Sequence, residues 1–145
     1  MQRKKWFIAV PTVALAIVAY FVFGFMRGVS CYNQGAAFMA KGEYDQAIAC
    51  FDKALAIEPS FAEAYCNRGT AYYEKGQYDP AISDFSRAIE INPDSAEAYY
   101  NRAVAYYHKK QYDKARRDVQ EAQSLGHQVG PDLLKALQEV SGRKE

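Results

Sequence analysis

Residues 62–81 read AEAYCNRGTAYYEKGQYDPA, and residues 96–115 read AEAYYNRAVAYYHKKQYDKA. The second stretch opens almost identically to the first, displaced by 34 positions, and the same offset runs back through the chain. It links Asn33, Asn67 and Asn101, then Tyr44, Tyr78 and Tyr112, then Ala47, Ala81 and Ala115, then Ala54, Ala88 and Ala122. A fixed period of a few tens of residues marks an array of stacked supersecondary units. Each unit leaves an apolar face that only its neighbour can cover, so about three are needed for stability.

Within one unit the spacing is helical. Tyr65, Gly69 and Tyr72 fall at i, i+4 and i+7, one stripe of a first helix, and Ala81, Phe85 and Ala88 repeat that spacing in a second. Small residues at Gly69 and Ala81 allow two helix backbones to approach, while Tyr72 and Phe85 fill the space beside them. Gly42 and Gly76 stand where the first helix must end in a left-handed residue. Pro59 and Pro93 cannot continue a helix and punctuate the units. Cutting after Phe61 and Ser95 gives three segments, 28–61, 62–95 and 96–129.

These residues resemble the tetratricopeptide repeat. Its large aromatic stands at Tyr65 and Tyr99, its small residue at Gly69 and Ala103, and its next aromatic at Tyr72 and Tyr106. Ala81, Phe85, Ala88 and Pro93 supply the second-helix pattern, and Gly35, Phe38, Tyr44, Ala47, Phe51, Ala54 and Pro59 supply the same in segment 28–61. Segment 96–129 departs from it: Lys110 replaces the turn glycine, Val119 the aromatic and His127 the proline, as a terminal repeat allows. Pro131 then opens a further helix, whose Leu133, Leu134, Leu137 and Val140 form one apolar stripe suited to sealing the array. The tail from Ser141 to Glu145 is expected to fray.

Ahead of the array, Trp6 to Met26 form 21 residues without a charge. At ~1.5 Å per residue they reach ~31 Å, the thickness of a hydrocarbon core. Pro11 falls in the second turn, where a missing amide costs little, and Trp6 suits the headgroup level. The reading is a single transmembrane span over 6–26 behind a basic flank, 1–5. Arg3, Lys4 and Lys5 put the amino terminus in the cytoplasm and the repeats on the extracytoplasmic side, periplasmic in a bacterium. Gly28-Val29-Ser30 has the small residues of a cleavage site, and Cys31 faintly that of a lipoprotein acylation site. The length of the apolar run, Arg27, and Gly28 where a large aliphatic belongs all favour an uncleaved anchor. Arg27 to Cys31 read as a short connection, at most ~18 Å extended.

The expected architecture is therefore all-α: a transmembrane helix, an α-solenoid of three repeats over 28–129, and a capping helix with its tail over 130–145. Composition narrows the function. Net charge is +1, but residues 1–30 hold four cations and no acid, leaving 14 − 17 = −3 for the rest. No basic footprint for nucleic acid is present. Cys31, Cys50 and Cys66 form no CxxC pair and read as small buried hydrophobes; with His108 and His127 they make no ligand set. No metal, cofactor, catalytic motif or enzyme activity is expected, carboxylates are read at exposed places, and Lys109, Lys110, Lys114, Arg116 and Arg117 as a solvated face.

The remaining face of the first helices lines a concave groove. Its candidate contacts are Asn33, Asn67 and Asn101, with Tyr32, Tyr73, Tyr100, Tyr107 and Thr70. A carboxamide donates and accepts together and can bracket an extended backbone, and tyrosine adds area with a polar tip. The resemblance implies the same, since asparagine ladders in other members hold peptides; the consensus alone would also place Asn here. Members that clamp the terminal carboxylate of chaperone tails use Lys and Asn on the first helix, where this chain has Tyr32 and Ala36, and Lys and Arg on the third, where it has Glu97 and Asn101; only Asn67 matches. A chaperone-tail clamp is not expected. The expected function is a membrane-anchored adaptor for a protein or peptide, itself membrane-associated. The alternatives are a cytosol-facing receptor or co-chaperone-like subunit, and a regulatory subunit of a membrane enzyme.

Overall fold

The computed structural model describes residues 6–141, and side-chain surroundings for 14–20 and 22–140. The basic flank 1–5, the side chains of Trp6 and Pro11, and residues 142–145 lie outside that description. Among the described residues the chain is seven helices: α1 (Trp6–Ala40), α2 (Tyr44–Ile57), α3 (Ala62–Glu74), α4 (Tyr78–Ile91), α5 (Ala96–His108), α6 (Tyr112–Ser124) and α7 (Pro131–Ser141). α1 with α2, α3 with α4 and α5 with α6 are hairpins, each stacked on the next, and α7 packs on α6.

The turns have one chemistry. The Gly42 and Glu43 amides donate to the carbonyls of Met39 and Phe38, both at 3.0 Å, and Gly76 with Gln77 does the same to Tyr73 and Tyr72. This pattern needs a left-handed residue, and Gly42 and Gly76 have φ of 75° and 72°. Lys110 takes the same role at φ 58°, so the third hairpin keeps the turn without the residue that suits it. α6 ends by the same device at Gly126, whose amide donates to Gln123 while His127 donates to Ala122. α2 and α4 instead run into extended Glu58 and Asn92 ahead of proline.

The core lies inside and between hairpins, built from Phe51, Phe85 and a series of fully buried alanines. Side-chain volume is matched across each pair. A Cβ on Gly35 would stand 2.6 Å from the Phe51 ring, and one on Gly69 would stand 2.8 Å from Phe85. In the third hairpin the small residue is Ala103 and its counterpart is Val119, both buried in one cluster with Leu137. Alanine is tolerated there because the aromatic ring is gone. Leu133 and Leu134 of α7 pack on the same cluster.

Two sequence expectations are overturned. Arg27 to Cys31 are not an extended connection: the apolar segment and the first repeat helix are one 35-residue helix. No proline or helix-ending turn interrupts that stretch, and Gly28 is small where the Ile57 side chain approaches to 3.2 Å of a notional Cβ. Nor are all carboxylates exposed. Asp84 and Asp118 are buried at 5% and 6% exposure. Arg68 donates to both Asp84 oxygens at 2.8 and 2.7 Å, and Arg102 to both Asp118 oxygens at 2.7 and 2.8 Å.

Each arginine also reaches back to the preceding hairpin. Arg68 Nη1 lies 2.5 Å from Asp52 of α2, and Arg102 Nη1 donates to Ser86 Oγ of α4 at 3.0 Å. The fork geometry of guanidinium suits this, satisfying one carboxylate bidentately and leaving a donor for a second partner. Hydrogen bonding to Asp84 raises the Arg68 pKa, so its charge is fixed. Lys75 and Lys109, one hairpin later than Asp45 and Asp79, pair with those carboxylates. The basic stretch is thus more than a solvated face: Lys109 bridges hairpins, Arg116 pairs with Asp113, and Lys114 lies over the Tyr106 ring.

Candidate peptide groove

α1, α3 and α5 stand side by side along one face of the solenoid. Tyr32 and Asn67 meet there, the carboxamide donating to the phenol at 2.9 Å. Tyr32 also packs on Phe61 and Phe51, with ring centres 4.7 and 5.9 Å apart. Its hydroxyl pKa is raised by burial, partly offset by the Asn67 bond. One cavity of about 280 Å³ opens beside this pair, walled by Glu63, Cys66, Asn92, Ser95 and Glu97. A second, about 190 Å³, lies between α3 and α5, where Thr70, Tyr73 and Glu74 face Tyr100, Asn101 and Val104 above Phe85.

The candidate contacts thus fall into three groups. Tyr32 and Asn67 line the first cavity, while Thr70, Tyr73, Tyr100 and Asn101 line the second. Thr70 returns its hydroxyl to the Cys66 carbonyl at 3.0 Å, so its methyl side is left for the cavity. Asn33 is exposed on α1 and belongs to neither cavity. Tyr107 packs at the far end of α5, against His108 and Tyr112 at 5.9 and 5.6 Å.

Residues outside the expected set complete the face. His108 accepts or donates a 2.9 Å bond with the Tyr73 hydroxyl and stacks on Tyr78 at 5.2 Å and 15°. His127 packs on Tyr100 at 4.5 Å. Both histidines therefore act as aromatic supports, which their isolation in the sequence did not suggest. Cys66 is half-buried in the groove rather than in the core, as Cys31 is half-buried on α1; Cys50 alone is buried. Burial, reinforced by the charges of Glu97 and Glu63, pushes the Cys66 thiol up to about 12. It remains a neutral thiol, a poor nucleophile and metal ligand. Among the described residues no three His, Cys, Asp or Glu side chains gather as metal ligands would.

Chemically, the two cavities offer neutral donors and acceptors, aromatic faces and carboxylates. Glu63 and Glu97 flank one, Glu74 the other, and none of the residues lining them is cationic. Such a face suits a neutral or basic segment and repels an anionic one.

A family model described as TPR repeat matches residues 35–76 and 69–110, and one described as Tetratricopeptide repeat matches 96–126. Comparison with curated proteins finds no match. Among solved structures the chain is similar to the Sgt2 TPR domain from Aspergillus fumigatus, with 27% identity over 81% of this chain and 78% of that one, at a TM-score of 0.70. It is similar to the second TPR of Spaghetti (RPAP3) bound to HSP90 peptide SRMEEVD, with 25% identity over 70% and 94% of the two chains and a TM-score of 0.68. The Arabidopsis OM64 TPR domain, at 22% identity over 83% and 98% and a TM-score of 0.75, shares the fold. The chain belongs to the tetratricopeptide repeat family, folded as an all-α solenoid of helix–turn–helix repeats.

Proposed function

We propose that the chain is a single-pass, membrane-anchored adaptor that holds an extended segment of a membrane-associated protein along the concave face of its repeats, on the extracytoplasmic side. One observation carries the reading. Leu15, Ile17, Val18, Tyr20, Val22, Phe23, Phe25 and Met26 are all exposed, between 51% and 78%. At about 100° per residue they occupy the whole circumference of α1, and among the described residues no protein face covers that circumference. A helix that is apolar all round needs lipid or a core, and its most apolar window, in Ala14–Ala40, is only 6% buried. Because α1 continues unbroken into the groove, the groove stands close to whatever surrounds that segment. Counting from Met26 at ~1.5 Å per residue, Tyr32 stands ~9 Å beyond the apolar run. A partner at that height is itself held at the membrane.

The adaptor role rests on the groove. Asn67 and Asn101, with Tyr32, Tyr73, Tyr100, Tyr107 and Thr70, are the proposed contacts, and Asn33 extends the row at its open end. Glu63, Glu74 and Glu97 favour a neutral or basic segment. A phosphatase that is active only after export, fused behind Glu145, tests the side: activity in membranes that retain the protein through alkaline extraction supports the reading, and a silent fusion with the same retention reverses the topology.

A second reading has one observation in its favour: the Spaghetti repeat similar to this chain was solved with an HSP90 peptide. A chaperone tail would end in a carboxylate between Glu63 and Glu97, with Tyr32 and Ala36 where a clamp uses Lys and Asn. Titrating SRMEEVD into the full chain in detergent separates the two. No saturable binding keeps the adaptor reading, and binding lost in Asn67→Ala replaces it with the chaperone reading.

A further inference from the structure

We propose that the lower edge of the first repeat, the end of α2 and the turn that follows it, is a lipid-contacting surface seated in the headgroup layer that α1 enters. The inference rests on the reading of α1 as a membrane span and extends it: the solenoid does not sway above the bilayer but lies on it, with its repeat helices standing upright.

The geometry points there in three ways. First, α2 runs antiparallel to α1, with Phe51 beside Gly35 and Ile57 beside Gly28. Going down α2 from Phe51 to Ile57 therefore leads toward the apolar run, which ends at Met26. Glu58 comes level with Phe25 and Arg27, and these residues share one cavity. If Met26 is in the hydrocarbon, the turn at Glu58 cannot be clear of the interface.

Second, that cavity is the largest of those described, about 660 Å³, and it is a wedge between two helices. Tyr20, Phe23, Phe25 and Arg27 line it from α1, and Ile57 and Glu58 from the end of α2. The walls suit an acyl chain and the guanidinium suits the phosphate above it. Glu58 stays an anion there, with the Ser60 hydroxyl and amide both donating to its Oε1, so the cavity carries one carboxylate besides the Arg27 cation. Third, Ile57 is 38% exposed and continues the uncovered apolar surface of α1, where Phe23, Phe25 and Met26 are 66%, 60% and 63% exposed. One solvent satisfies the whole of this surface, and that solvent is lipid. An exposed aliphatic beside a cation and a turn is also how a protein edge is anchored at an interface.

The test uses the full chain in phosphatidylcholine vesicles brominated on the acyl chains. The chain has a single tryptophan, so Trp6→Phe gives a silent background for one reporter at a time. Val18→Trp reports the span, Ile57→Trp the proposed edge, and Lys41→Trp the opposite end of the first hairpin. The expected result is near-complete quenching at Val18→Trp, clear partial quenching with a blue-shifted emission at Ile57→Trp, and none at Lys41→Trp. Quenching at Val18→Trp with Ile57→Trp as unquenched as Lys41→Trp overturns this inference and leaves the span intact. No quenching at any site removes the span and the inference together. Emission at Ile57→Trp that shifts with protein concentration but resists brominated lipid shows a second copy in the wedge, which also overturns it. Should Ile57→Trp lose its helical signal, Pro59→Trp in the turn reads the same edge.

Discussion

The second and third hairpins share a design and differ in how they fill it. In the second, Gly69 lies against Phe85 and Gly76 makes the turn; in the third, Ala103 lies near Val119 and Lys110 makes the turn. The first hairpin differs in another respect. Where Arg68 and Asp84 stand in the second and Arg102 and Asp118 in the third, the first has Gln34 and Cys50. The cation and the buried carboxylate are absent together. What repeats is therefore the pairing rather than the residue, and each position is intelligible only beside its partner in the other helix.

That comparison can be broken most severely at the buried ion pair. Asp84→Ala strands the Arg68 charge in a half-buried place, and should cost about 3 kcal/mol, read as a lowered midpoint of denaturant unfolding. Copying the first hairpin into the second with Arg68→Gln plus Asp84→Cys should cost less than Asp84→Cys alone. Equal losses from the single and double changes would mean that the pair is not coupled.

The packing match is the next lever. Gly69→Ala gains helix propensity but drives a methyl into the Phe85 ring and the Asp84 Cβ at 2.8 and 3.2 Å. A net loss of about 1–2 kcal/mol is expected. Adding Phe85→Val, the choice made at Val119, should return part of it, and a double-mutant cycle without positive coupling sinks the match.

The turn gives a smaller effect of opposite sign. Lys110→Gly relieves a left-handed non-glycine at φ 58° and should stabilise by about 1 kcal/mol, seen as a raised Tm. Smallest is the alkaline limb. The folded Cys66 thiol titrates near 12, above its ordinary 9.0, so the native state keeps a proton that the unfolded chain releases. Its stabilising contribution is complete below the ordinary thiol range and is lost as pH rises through that range toward 12. Cys66→Ala should flatten the fall of Tm above pH 9.0 without abolishing it, since the Tyr32 and Tyr73 hydroxyls are shifted the same way, chiefly by burial.

Much of this was legible in the chain. Gly42 and Gly76 announced their turns, and the stripes through Tyr65 and Ala81 gave the helices, because each signal lies within a single helix or at its end. The ion pairs did not show, since Arg68 and Asp84 are 16 residues apart on two helices and no helical period connects them. The supports at His108 and His127 escaped for the same reason, being defined by Tyr73, Tyr78 and Tyr100 on other elements. The bond between Asn67 and Tyr32 was half visible: the row of asparagines was plain, its phenol partner one hairpin away was not. At Arg27 to Cys31 the change from apolar to polar composition looked like a boundary, but composition can change along one continuous helix.

The central claim is that the concave face of a membrane-anchored solenoid holds another membrane-associated protein. The direct measurement is photocrosslinking in intact membranes, with benzoylphenylalanine in place of Tyr100 in the groove or of exposed Arg117 on α6. The account predicts a discrete adduct with a membrane-associated protein from Tyr100, weakened by Asn67→Ala, and none from Arg117. No adduct from Tyr100, adducts only with freely soluble proteins, or the same adducts from both positions would contradict it.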